Sequence, residues 1–308
     1  MVQNILIFAG GVGILCLGAE WLVRGSARLA TALKVSPIII GLTIVSLGTS
    51  APELVVSVIA AIGGSGDLAI GNVMGSNLAN IGLVLGLSAI LRPIEVSRRV
   101  GNLDIPVMIL ITALLLPIIW DLRIERLEGF ILLAILSGYL YLLFRREIKE
   151  SEKEHLGLES HTKLQNFTLI AIGATGLIVG AFAIRESALL IARTMGISEL
   201  VIGLTIVSVG TSLPELATSI VAAFRDKADI AVGNIIGSNI FNILAVLGFT
   251  GMIVPLNVNP HVLIFEFPAV IIMSILLLPV VWMNFRIKRL EGIVLLGSYL
   301  ALGAWIVL

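Results

Sequence analysis

The sequence predicts an all-α membrane protein of ten transmembrane helices, built as two inverted five-helix repeats whose second and seventh helices are broken. Three observations predict it. The chain is 58% hydrophobic and only 13% charged, with a mean hydropathy of +1.09, against about 25% charged residues in an ordinary soluble domain. Apolar stretches of about 20 residues, each long enough to cross about 30 Å of hydrocarbon as a helix, recur from end to end. Long segments of the first half return in the second, each with a proline beside a glutamate inside an apolar run.

The spans are expected near 5–30, 36–62, 68–91, 104–120, 124–144, 167–192, 198–223, 230–253, 261–281 and 289–307. No Lys or Arg precedes Arg24, so the start lacks the charged region of a cleavable signal and reads as a retained first span. The stretch "RREIKESEKEHLGLESHTK" at 145–163 is clearly polar, and its mixed charges read as a solvated linker, with His155 and His161 inside it. The expected units are therefore 1–144, a charged cytoplasmic linker at 145–166, and 167–308.

Of the 20 Lys and Arg, only Arg123, Arg126 and Arg193 fall on the side of the termini, while Arg24 and Arg185 lie inside spans. The rest, among them Arg28, Arg92, Arg98, Arg145, Arg225, Lys227 and Arg286, crowd the opposite side. Positive charge marks the cytoplasmic face, so both termini are expected outside a cell membrane. Asn166-Phe-Thr168 fits a glycosylation sequon, but it sits beside the cytoplasmic linker. Net charge is zero and no basic patch interleaved with aromatics occurs, so no nucleic-acid partner is expected; the lone Cys16 excludes a disulfide within the chain.

"SPIIIGLTIVSLGTSAPEL" at 36–54 returns as "SELVIGLTIVSVGTSLPEL" at 198–216, and "GNVMGSNLAN" at 71–80 as "GNIIGSNIFN" at 233–242, both displaced by 162 residues. "LLLPIIW" at 114–120 recurs at 276–282 as "LLLPVVW", and "RLEG" at 126–129 recurs at 289–292. Five spans per copy is an odd number, so the second copy enters the membrane inverted. Inverted repeats with interrupted helices at matching places are a transporter signature, with the site expected at the midplane between the copies.

Pro52 and Pro214 each remove a backbone donor and free a carbonyl four residues back, at Gly48 and Gly210. Such a break is tolerated only inside protein or along a wet cavity. Free carbonyls, hydroxyls and carboxylates are what a hard cation takes as ligands. Thr49, Ser50 and Glu53 can share one helical face, as can Thr211, Ser212 and Glu215. The following spans add Ser76 with Asn80 and Ser238 with Asn242, beside the GxxxG pairs Gly71/Gly75 and Gly233/Gly237, which allow close helix approach. Hydroxyls in membrane helices usually bond their own backbone and GxxxG usually serves packing. A buried intramembrane Glu is costly, and two in matching contexts mark a site.

Other polar residues read as local structure: Glu20 with Arg24 and Arg185 with Glu186 as neutralising pairs, Asp67 and Asp229 as helix caps. Gly10, Gly11, Gly13 and Gly18, mirrored by Gly173, Gly176 and Gly180, would leave smooth faces fit for packing or sliding. No Ser–His, His–Glu–His or paired-Asp arrangement suggests an enzyme, and inverted broken helices suit a two-sided gate better than an open channel.

The pair "GTSAPE" with "GNVMGSN", repeated as "GTSLPE" with "GNIIGSN", closely resembles the α-repeats of the cation/calcium exchanger superfamily, and of its prokaryotic sodium/calcium exchangers in particular. The resemblance covers the whole chain. It implies secondary-active antiport of sodium against calcium by alternating access, with proton coupling or another cation as the alternative. Calcium and sodium are then transported ions rather than cofactors, no prosthetic group is implied, and one chain suffices for the site. The implied ligands are Thr49, Ser50, Glu53, Ser76, Asn80, Thr211, Ser212, Glu215, Ser238 and Asn242, with the backbone carbonyls of Ser46 and Ser208. The resemblance further implies that the first and sixth spans slide across the rest as a gate. Some related exchangers carry Asp where this chain has Asn242, whereas here both matching positions are Asn, which leaves two carboxylates.

Overall fold

The computed structural model describes residues 2–151, 163–195 and 208–307. The helices are α1 (Val2–Leu33), α2 (Pro37–Thr49), α3 (Ala51–Ile62), α4 (Gly66–Leu91), α5 (Val100–Ile118), α6 (Arg126–Ser151), α7 (Lys163–Thr194), α8 (Ser208–Thr211), α9 (Leu213–Phe224), α10 (Ala228–Ile253), α11 (Val262–Trp282) and α12 (Arg289–Val307). Among the described residues eight helices are long and apolar enough to span, and the pair α2–α3, bent by 43°, makes a ninth. The expected seventh span is present as α8 and α9; its residues 198–207 lie outside the described set, as do His155 and His161.

The break in the second span falls at Ser50, whose backbone (φ −83°, ψ 3°) leaves the helix, and Ser212 does the same in the seventh (φ −84°, ψ 5°). Each proline thus sits in the first turn of a new helix, where its missing N–H costs nothing. Glu53 and Glu215 occupy those same first turns, facing the partial positive charge of a helix N-terminus.

Two expectations about boundaries are corrected. The fifth and sixth helices extend into the polar stretch, to Ser151 and from Lys163, because Arg, Glu and Lys are strong helix formers whatever their polarity. Asp67 and Asp229 are not caps: the cap positions are Ser65 and Lys227, and the two aspartates lie in the first turns, where they complement the helix dipole.

Among the described residues four two-residue strands join the halves. β1 (Ile94–Glu95) pairs antiparallel with β4 (Arg286–Ile287), and β2 (Arg123–Ile124) with β3 (Leu256–Asn257). These pairings establish the inversion. The loop after α4 meets the loop after α11 on one face, with Val96 N donating to Phe285 O across 2.8 Å and Arg92 ion-paired to Asp226 after α9. On the other face the loop after α5 meets the loop after α10, with Val258 N donating to Leu122 O at 2.8 Å. Equivalent loops of the two copies therefore lie on opposite faces.

Buried apolar side chains fall into two clusters. The larger runs from α2 through α4, α5 and α6 to α10, α11 and α12. The smaller binds α1 and α7 to each other and to parts of α2, α9 and α10. The α1–α7 contact is a glycine seam: a Cβ added at Gly18 would stand 2.6 Å from Leu177 N, one at Gly173 2.5 Å from Leu22 N, and one at Gly180 2.6 Å from Leu15 N. Gly11 belongs to the seam beside Ile184, whereas Gly10 and Gly13 have no described atom within 4 Å. The sequence grouped all four, and only Gly11 and Gly18 pack. The smooth faces of the first and sixth spans are turned toward each other.

Candidate functional site

Gly233 and Gly237 bring α10 backbone to backbone against α2: an added Cβ would meet Ile38 O at 2.8 Å and Leu42 O at 2.6 Å respectively. The segment equivalent to Ile38–Leu42 in the seventh span lies outside the described residues, so the matching contact of Gly71 and Gly75 is not described. Close approach of α10 sets Asn234 and Ser238 beside the α2–α3 break. Thr49 Oγ1 donates to Asn234 Oδ1 at 3.0 Å and lies 3.3 Å from Ser238 Oγ. Ser50 Oγ and Ser238 Oγ donate to Glu215 Oε1 at 3.4 and 3.5 Å. A hydroxyl of the first copy and one of the second thus meet on one carboxylate.

Burial is nearly complete. Glu53, Glu215, Asn80, Asn242, Thr49 and Ser238 are all 0% exposed, with Ser50, Ser76 and Ser212 at 4% or less and Thr211 at 7%. With Ser46, eleven of the twelve sequence-predicted residues have buried side chains in the described structure. The Ser46 carbonyl already accepts from Ser50 N at 2.9 Å and Thr49 Oγ1 at 3.3 Å. Ser208 begins α8, and its side chain is outside the described set.

Seven buried side-chain oxygens of these residues have no well-formed hydrogen-bond partner within the described chain: both of Glu53, Glu215 Oε2, Ser76 Oγ, Ser212 Oγ, Asn80 Oδ1 and Asn242 Oδ1, with Ser76 close enough to Glu53 to interact with its carboxylate. Orphaned buried acceptors cost about 1–3 kcal/mol each, more for a charged group, so seven of them together suit a site that takes up water or a cation. Every one is an oxygen able to ligate a hard cation, and 6–8 oxygens is the set that Ca²⁺ takes. Two carboxylates would balance one divalent ion. Among the described residues no cluster of three or more His, Cys, Asp or Glu exists, so neutral oxygens must supply the remaining ligands.

Sequence reading missed the asparagines that frame the site. Asn72 Nδ2 donates to Glu53 O at 3.3 Å and Ser57 Oγ at 3.1 Å, and Asn234 Nδ2 to Ser219 Oγ at 3.3 Å. Asn80 Nδ2 donates to Asn239 Oδ1 at 3.1 Å and Asn242 Nδ2 to Asn77 Oδ1 at 3.0 Å. The available signal was their presence, unassigned, inside the repeated "GN" and "GSN" words.

The weaker pairs resolve as expected and with one addition. Glu20 is ion-paired to Arg24 and also to Arg225, whose Nη2 lies 2.7 Å from Glu20 Oε1, which ties α1 to the end of α9. Arg185 and Glu186 stand 3.9 Å apart, partly exposed. Asn166, the sequon residue, is 1% exposed.

Comparison with known proteins agrees with this architecture. The profile of the family described as "Sodium/calcium exchanger protein" matches twice, at residues 3–145 and 166–308, which are the two inverted halves. The chain is 34% identical to Inner membrane protein YrbG of Escherichia coli (strain K12), over 94% of this chain and 92% of that one. It is 32% identical to Sodium/calcium exchanger MaX1 of Methanosarcina acetivorans, over 97% of each. Among solved structures it is similar to the sodium-calcium exchanger NCX_Mj soaked with zero Na⁺ and Ca²⁺, with a TM-score of 0.86, 33% identity and 99% of both chains covered. The same exchanger soaked with 2.5 mM Na⁺ and 0.1 mM Ca²⁺ gives 0.85 at 33% identity, covering 99% and 98%. A duplicated, inverted, multi-pass helical chain with paired buried glutamates and matching relatives along its whole length is a membrane ion exchanger rather than an enzyme, and it belongs to the sodium/calcium exchanger protein family.

Proposed function

We propose that the protein is a secondary-active antiporter that exchanges sodium for calcium by alternating access to one central site. The observation that carries this reading is the set of seven unpartnered oxygens, three of them carboxylate oxygens of Glu53 and Glu215, contributed by both copies. Calcium, as substrate, would take Glu53 and Glu215 as its charge-balancing ligands. Thr49, Ser50, Ser76, Asn80, Thr211, Ser212, Ser238, Asn242 and the carbonyls of Ser46 and Ser208 supply neutral oxygens to it or to sodium ions that replace it. The names of MaX1 and NCX_Mj, each a sodium/calcium exchanger, support the choice of ions.

The two halves, 1–144 and 167–308, would form opposite walls of the site, joined by the linker at 145–166. Their Lys and Arg bias puts both termini outside, so that sodium entering would drive calcium out. The α1–α7 unit, tied internally by its glycine seam and packed in its own cluster, is the element suited to slide over the rest.

The test is radioactive calcium uptake into proteoliposomes holding the purified protein. Uptake that requires sodium inside and none outside supports the proposal. Uptake driven equally by a proton gradient, with sodium absent, would replace it by the proton-coupled reading.

A further inference from the structure

An amide offers a cation its oxygen or, turned over, repels it with its NH₂. Asn80 and Asn242 can serve a cation only if something outside the site decides which end points in. Both are buried at 0% exposure with Nδ2 bonded away and Oδ1 unpartnered. The groups that hold those Nδ2 atoms belong to the opposite copy: Asn239 for Asn80, and Asn77 for Asn242. The two bonds are images of each other under the displacement of 162 that relates the repeats.

The direction of this ladder can be read without relying on which amide atom was labelled N or O. Asn77 Nδ2 donates to the backbone carbonyl of Asn239 at 3.2 Å, and a carbonyl can only accept. Asn77 must therefore turn its Oδ1 to Asn242, which must present Nδ2 to it and leave its own Oδ1 for the site. On the other arm, Asn239 Nδ2 lies 3.5 Å from Met108 Sδ, a weak acceptor, so its Oδ1 faces Asn80 Nδ2 and frees Asn80 Oδ1. All four side chains are 1% exposed or less.

We infer that Asn77 and Asn239 are positioning residues for ion recognition: through crossed hydrogen bonds they lock the amides of Asn242 and Asn80 with both oxygens toward the ion. This rests on the proposed ligand set. It adds a specificity device, because a site with two carboxylates depends on correctly turned neutral oxygens for the rest of its coordination. Outer partners of metal ligands of this kind typically contribute about 10–100-fold to affinity.

The experiment is a set of double-mutant cycles on calcium KM and maximal rate in proteoliposomes, using Asn77→Ala, Asn239→Ala, Asn80→Ala and Asn242→Ala. Asn77→Ala and Asn239→Ala should each raise calcium KM about tenfold while changing the maximal rate less. The crossed pairs, Asn77 with Asn242 and Asn239 with Asn80, should be non-additive, because the second change removes what the first misdirects. The same-copy pairs, Asn77 with Asn80 and Asn239 with Asn242, should multiply. A merely structural role would not produce that crossed pattern. If an alanine variant is not recovered folded, leucine, close in volume, replaces it. Additive crossed pairs, with Asn80→Ala and Asn242→Ala themselves impaired, overturn the positioning role and leave the ligand set standing. Normal calcium KM in both Asn80→Ala and Asn242→Ala overturns the ligand set and the positioning role together.

Discussion

Ser50, in the break of the second span, gives its hydroxyl to the Glu215 carboxylate across 3.4 Å, so the first copy of the repeat completes the acidic group of the second. The contact crosses the pseudo-twofold relation between the halves. The candidate site therefore draws on groups from both halves.

The first expectation concerns the carboxylates. Glu53→Gln and Glu215→Gln should each abolish sodium-driven calcium flux, since a divalent ion left with one carboxylate in a dry site faces a mismatch of several kcal/mol. Asp67→Asn, at an exposed position in the first turn of α4, should leave flux near that of the parent. Parallel flux assays on the three variants decide it, and near-normal transport by either glutamine variant refutes the assignment.

Two hydroxyls separate binding from stability. Ser212 Oγ has no hydrogen-bond partner, whereas Thr49 Oγ1 holds Asn234 Oδ1 and approaches Ser238. Ser212→Ala should therefore raise calcium KM by a few fold with an unchanged melting temperature in ion-free detergent. Thr49→Ala should do both, losing about 1 kcal/mol of hydrogen bonding and lowering the melting temperature as well. Each should impair transport less than loss of a glutamate.

Asn242→Asp adds a third carboxylate where one divalent ion balances only two. Like charges crowded in a buried site favour taking up a proton, and the group titrates as a unit. Protons should then compete with sodium and calcium, so flux in the variant should fall at a higher pH than in the parent. Superimposed pH profiles of the two proteins would show that Asn242 does not line the site.

The glycine seam predicts a position-dependent cost. Gly18→Val places atoms within 2.6 Å of the α7 backbone and cannot be absorbed without parting α1 from α7. It should lower the melting temperature by several degrees and stop exchange. Gly13→Ala, with no described atom within 4 Å, should be neutral or slightly stabilising, since alanine favours helix by about 1 kcal/mol.

What could be read from the sequence was whatever a short window records: the apolar lengths, the proline breaks, the duplicated words, and Glu53 and Glu215 as the shared carboxylates set inside apolar runs beside a proline. The α2–α3 break and the burial of both glutamates follow from those. Asn77 and Asn239 were not legible as positioning groups, because their role depends on a partner 165 and 159 residues away. The π-helical turns at Asn80–Leu85 and Asn242–Val246 were equally hidden, since such turns are rare and carry no short sequence signature of the kind a proline gives a break. Nor could spacing tell Gly18 from Gly13; only the partner helix does.

The four short strands carry an implication about ancestry. Each half owns one strand near the end of its third span and one between its fourth and fifth, and neither pairs within its own half: β1 seeks β4, and β2 seeks β3. Two identical half-length chains, inserted in opposite senses and related by a twofold axis in the bilayer plane, would satisfy both pairings at once through one self-complementary contact. The present molecule has the geometry of such a dual-topology homodimer, fused head to tail and then free to let its two copies diverge, as Arg225 and Gly63 have at one pair of equivalent helix ends.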